Sequence, residues 1–271
     1  MKSILCLASV LIFTISCAHT SSSERNPAQD GTVQETVKTP PLRADETTIW
    51  TLQELAQKGR LDILEDLFNN HGINLEKVPE GYAAGAGARV FDLGTPLFAK
   101  ALDSLTGANW RGKIFFPSEN PRKSMGLNRI RHTLLLKTSV TPMASFVTQL
   151  LDKHPLVPKA KSNVVILNYA KPNTKGYWQE WALTQIQVYD VMVAVPGRYG
   201  PVFIGKTWLG SYADNRTFNT DEPNRLIAWF FLDFNSEAVA VQQKEHWDGS
   251  KEKILNPVPY MRAIQLPVMP D

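Results

Sequence analysis

After Pro79 the chain carries a series of short stretches rich in Val, Ile, Phe, Trp and Tyr, each bounded by Gly, Pro or Asn. They are residues 82–91, 110–117, 128–137, 163–170, 183–194, 201–209 and 225–234. This series constrains the fold more than any other feature, because half-buried strands must pair and a sheet of that many strands curls or closes. Two stretches, 96–105 and 142–152, have apolar residues at helical spacing and interrupt the series as expected helices. No internal repeat is present, which removes propellers and solenoids. The pattern predicts a mainly β fold over residues 79–235, either one antiparallel barrel or a strongly curved sheet.

Before the strands, residues 47–78 read as a helix pair. Leu52, Leu55, Ala56, Leu61, Leu64, Leu67 and Phe68 recur at helical spacing, interrupted by "KGR" and ended by "NNHG". The run Thr51-Leu52-Gln53-Glu54 fits a capping box, with Thr51 at the N-cap and Glu54 three residues on. The last segment, 236–271, has weak periodicity and reads as an extension. Residues 47–271 are therefore expected to be one domain.

The first sixteen residues have the parts of a secretory signal: Lys2, an apolar run from Ile4 to Ile15, and small residues before a cut. The run is shorter than the roughly 20 residues a membrane-spanning helix needs. Thr14-Ile15-Ser16-Cys17 resembles the lipobox of bacterial lipoproteins, with threonine where leucine is usual; an ordinary signal peptide cut nearby is the alternative. The resemblance implies that Cys17 becomes the acylated first residue, so the membrane is the expected partner. Cys6 leaves with the signal, and Cys17 alone then remains, so no internal disulfide can form. Ala18 stands where an aspartate favours retention in the inner membrane, which implies the outer membrane, facing the periplasm. Residues 17–46, rich in Ser, Thr, Pro and charge, read as a lipidated cysteine and flexible tether.

Several function classes lose support. The net charge is +3, from 29 basic and 26 acidic residues, and no basic run is long enough for a nucleic-acid footprint. Gly81, Gly85 and Gly87 fit neither G-x-G-x-x-G nor a Walker pattern, and an extended stretch follows them where a phosphate loop needs a helix N-terminus. Scattered histidines without ligand spacing predict no metal site, and no cofactor is indicated. The G-x-S-x-G elbow and S-x-x-K are both absent.

Polar residues on apolar strand faces are more informative. Alternation in 128–137 groups His132 with Ile130, Leu134 and Leu136; in 183–194 it groups Asp190 with Ile186, Val188 and Met192. If those faces turn inward, desolvation perturbs both groups, which makes them candidates for a site; local hydrogen bonding is the other reading. Trp110, Tyr169 and Tyr199 lie on or beside strands, where aromatic side chains line a pocket or fill a core.

The succession W-R-G-K-I-F at 110–115, I-L-N-Y at 166–169, V-P-G-R-Y at 195–199 and F-F-L-D-F at 230–234 resembles a group of uncharacterised bacterial and fungal proteins associated with lipocalin-like barrels. The resemblance marks Trp110, Gly112, Lys113, Tyr169, Asp190, Pro196, Gly197 and Tyr199, and departs at Asn168, where the group has aspartate. It implies an antiparallel lipocalin-like barrel. The expected function is binding of an apolar small molecule or lipid near Trp110, His132, Tyr169, Asp190 and Tyr199. The alternatives are a hydrolase or isomerase with His132 or Asp190 as general base, or a filled barrel that binds protein.

Overall fold

The computed structural model describes residues 42–90, 110–131, 140–169, 188–210, 219–221 and 224–235. Its strands are β1 (Gly81–Val90), β2 (Trp110–Phe115), β3 (Lys123–Arg131), β4 (Val140–Leu151), β5 (Val164–Asn168), β6 (Val188–Val195), β7 (Val202–Leu209) and β8 (Arg225–Asp233). Each strand pairs antiparallel with the next, and β8 pairs back onto β1 through Gly85↔Leu232 and Ala86↔Phe231, so the sheet closes as an up-and-down barrel. The fold is thus the mainly β, lipocalin-like barrel expected. Closure leaves no unpaired strand edge in the ladder order.

The stretch expected as a helix over 142–152 is strand β4 instead. Phe146 and Leu150 are four residues apart, a spacing that suits one face of a helix and, being even, one face of a strand equally well. Pairing decides between them: β4 is held by β3 on one side, from Lys123↔Gln149 to Arg131↔Val140, and by β5 on the other. The expected helix over 96–105, the signal, residues 17–41 of the tether and the extension 236–271 lie outside the described residues. The last stretch of the expected tether, 42–46, is ordered, with a 3-10 turn and Leu42 packed against the outer cluster.

Two helices, α1 (Ile49–Gln57) and α2 (Leu61–Asn70), precede the barrel, after a single 3-10 turn at Ala44–Glu46. The box that starts α1 sits three residues earlier than the sequence suggested. Thr48 is the N-cap and accepts from the Thr51 backbone N–H at 3.2 Å, while the Thr51 hydroxyl accepts from the Thr48 backbone N–H at 2.9 Å. Thr51 therefore fills the position usually taken by Glu or Gln. Ile49 gains a place in the first turn and is buried with Leu52 and Ala56.

Strand alternation sorts the rest into two faces. Along β6, Val191, Val193 and Val195 pack in one cluster with Leu52 of α1 and Leu64 and Phe68 of α2, so this is the outer wall under the helices. Met192 and Ala194 join the opposite cluster, to which every strand except β3 contributes, including Ala83, Phe115, Phe146, Leu167, Phe203 and Phe230. Strands that are not neighbours meet this way only across a lumen. A buried lysine fastens the helices: Lys206 Nζ of β7 lies 2.8 Å from each Glu65 carboxylate oxygen of α2, and 4.4 and 4.8 Å from the ring centroids of Phe68 and Trp229. Burial pulls the pKa of Lys206 down, and Glu65 opposes it.

Candidate functional site

The lumen is not wholly apolar. Lys113 of β2 reaches across it to Asp190 of β6, with Nζ 3.1 Å from Oδ2, and each side chain is 3% exposed. The two strands stand four apart in the ladder, so no local sequence signal links them. Lys113 Nζ also donates to Asn128 Oδ1 of β3 at 2.8 Å and to the Tyr169 hydroxyl, just past β5, at 2.5 Å. The Tyr169 hydroxyl donates to the same Asp190 Oδ2 at 2.8 Å, and Trp110 Nε1 donates to Asn128 Oδ1 at 3.0 Å. Asn128 Nδ2 donates to Tyr169 at 3.3 Å.

Local backbone features build this cluster. Trp110 and Lys113 are an odd number of residues apart and would face opposite sides of a regular strand. The register shifts between them, Trp110↔Ile130 and then Lys113↔Asn128, so β2 carries an extra residue and both side chains join the network. Gly112 lies in this bulge with φ +107°, a conformation that side chains with a Cβ rarely adopt, and a Cβ there would run into the Ala83 carbonyl. Glycines across the lumen act through space. A Cβ at Gly126 would meet the Phe146 ring, and one at Gly205 the Phe230 ring. The bare backbone lets those rings lie against the wall, with Lys113 Nζ 5.1 Å from both centroids and 5.3 and 5.5 Å from those of Tyr169 and Trp110. The ammonium is held by one carboxylate and ringed by π faces.

Burial lowers the pKa of Lys113, and the charge and hydrogen bond of Asp190 offset that only in part, so the net shift is downward. The three N–H donors of Lys113 match three acceptors, which suits the ammonium form. One atom is left over. Asp190 Oδ1 is buried and has no hydrogen-bond partner among the described residues.

Of the site residues expected from the sequence, Trp110, Tyr169 and Asp190 meet here. Tyr199 does not: it lies in the β6–β7 turn, 45% exposed, with the Arg198 guanidinium 5.2 Å from its ring centroid. Pro196, Gly197 and Gly200 turn the chain at that point, which carries the side chain beyond the end of the wall. His132 and Cys17 lie outside the described residues. Lys113 was marked by the resemblance but not placed among the expected site residues, and Asn128 was in neither group. The signal for Lys113 was its even spacing from Phe115 in a strand whose apolar face was otherwise clear. Among the described residues, no group of three His, Cys, Asp or Glu side chains comes together, and no helix is long and apolar enough to cross a membrane.

A second buried polar pair lies apart from the lumen. His154, in the β4–β5 connection, stacks on Tyr189 with centroids 5.5 Å apart and planes at 23°. His154 Nδ1 accepts from the Leu156 backbone N–H at 3.3 Å, which leaves the proton on Nε2, 3.3 Å from the Tyr189 hydroxyl. Burial depresses the imidazole pKa to about 4.

No protein-family model, curated protein or solved structure matches the chain.

Proposed function

We propose that the barrel binds an apolar small molecule or lipid in its lumen, its one polar group docking at the Lys113–Asp190 pair, and that Cys17 anchors the protein by lipid to the outer membrane, facing the periplasm. The observation that carries the binding reading is the buried carboxylate oxygen of Asp190, left without a donor among the described residues, at a polar cluster set in a lumen lined mostly by aromatic and aliphatic side chains. Buried polar atoms are nearly always satisfied, so an unsatisfied one in an apolar enclosure is a point where a ligand gains an interaction. Apolar ligand surface would supply the bulk of the affinity, at roughly 25 cal/mol per Å². The lipobox-like run Thr14-Ile15-Ser16-Cys17 and the polar segment behind it support the anchoring.

The test is native mass spectrometry of the full chain, released gently from a membrane fraction, followed by extraction and identification of what is bound. A stoichiometric apolar molecule is expected. A protein that is empty, and stays empty after incubation with envelope lipids, overturns the reading in favour of a filled barrel that acts through its surface.

The same oxygen supports a second reading, an isomerase or hydrolase. A carboxylate held through Oδ2 by Lys113 and Tyr169 presents Oδ1 as a general base. Turnover that Asp190→Asn abolishes, with the bound molecule still retained, would select this reading over simple binding.

A further inference from the structure

We infer that the polar group of the ligand is a neutral hydrogen-bond donor, a hydroxyl, received by Asp190 Oδ1; the inference rests on the binding reading above and narrows it. The argument is an inventory of donors, acceptors and charges. Lys113 spends its three N–H donors on Asn128 Oδ1, Tyr169 and Asp190 Oδ2. The Tyr169 hydroxyl is donated to Asp190, and the Trp110 N–H to Asn128. What the cluster offers to a newcomer is an acceptor, Asp190 Oδ1.

Charge points the same way. Lys113 and Asp190 neutralise each other, with each side chain 3% exposed. A carboxylate ligand would add an unpaired negative charge beside Asp190 and find no vacant donor on Lys113, Tyr169 or the Trp110 indole. The Thr148 hydroxyl, buried on the inner face of β4 and without a hydrogen-bond partner among the described residues, is a neutral donor and would leave that charge uncompensated. An amine ligand would satisfy Oδ1 but leave a second buried positive charge near Lys113, and an unpaired charge in an apolar interior is strongly disfavoured. A hydroxyl supplies the missing donor and leaves the net charge of the site at zero. The bond it forms is charge-assisted, the stronger class of hydrogen bond. The ligand class is therefore an apolar body ending in an alcohol, and the ionised fatty acid is the molecule the site excludes.

The experiment compares four probes of one chain length on the full-length protein, by tryptophan fluorescence and calorimetry: dodecanol, dodecyl methyl ether, dodecanoate and dodecylamine. Dodecanol is expected to bind about tenfold or more tighter than the ether, which accepts but does not donate, and tighter again than dodecanoate, as the worth of a hydrogen bond to a charged group requires. Equal binding of dodecanol and the ether would mean that an internal water already serves Oδ1, and overturns the inference while the binding reading stands. Preference for dodecanoate or dodecylamine overturns it likewise. If none of the probes binds, the binding reading itself falls and takes the inference with it. Asp190→Asn supplies an independent check: it leaves the Lys113 charge uncompensated, and dodecanoate should then overtake dodecanol. Should that variant fail to fold, the ranking on the unaltered protein decides alone.

Discussion

Lys113 and Asp190 hold each other in a place where neither could sit alone. Two ions taken out of water lose hydration that one contact regains only if the remaining polar atoms are also satisfied, and here Tyr169, Asn128 and Trp110 supply most of those bonds. Lys113→Met is expected to cost about 3–5 kcal/mol in urea unfolding, because it strands the Asp190 carboxylate, and Asp190→Leu should cost a similar amount by stranding the ammonium. The double variant should be far less destabilised than the sum, since nothing charged is then left behind. Additive losses would show that the two side chains do not act as a pair. Half of this site was legible in the sequence. Alternation put Asp190 on the same face as Val188 and Met192, and the structure agrees. Lys113 was marked by the resemblance, but its place in the site was hidden by habit, because a lysine on a strand ordinarily faces water, and by distance, because its partner lies four strands away. Tyr199 misled for the opposite reason: an aromatic residue in a strand-like context lies on the turn.

At the scale of elements, the strands were legible wherever β-branched and aromatic residues clustered between turn residues, and ambiguous where polar residues fell on the inner face. In β4, Thr148 is fully buried between Phe146 and Leu150, and the eye fits a helix to the two apolar residues by passing over the threonine. Only the ladders to β3 and β5 reveal the alternation. The start of α1 shows a subtler displacement. Thr48 and Thr51 are both good N-caps, and Glu54 after Thr51 completes an attractive box, yet burial of Ile49 against the barrel wall starts the helix earlier. Glu54 is left with an exposed contact to Lys58 at 2.6 Å. Thr48→Ala should therefore lower stability by about 1 kcal/mol, the usual worth of an N-cap. Glu54→Ala should change it by no more than a few tenths, as an exposed ion pair allows. The reverse order in thermal unfolding would return the cap to Thr51.

For the molecule as a whole, closure is the property that local pattern could not show, because it depends on β8 finding β1 across the full length of the barrel. Closure and the docked helices join the inner and outer clusters through shared strands, so a group buried against either one reports on global unfolding. His154 is such a group. Its imidazole has a pKa of about 4 when folded against 6.5 when unfolded, so between those values the unfolded chain binds the proton and the folded chain does not. Folding stability from this residue is thus fully present above pH 6.5 and is lost as pH falls towards 4, on the order of 3 kcal/mol by linkage. Asp233 acts in the other direction: burial raises its carboxyl above 3.8, so its ionisation favours unfolding as pH rises from that value. The two effects are separated by comparing the protein with His154→Asn, whose side-chain oxygen can still accept from the Leu156 N–H as an Asx turn. The difference in stability between the two should shift in favour of the variant as pH drops from 6.5 to 4, followed by urea unfolding at each pH. If the difference stays flat across that range, the histidine is solvated or already charged in the folded protein, and its stack on Tyr189 contributes packing alone.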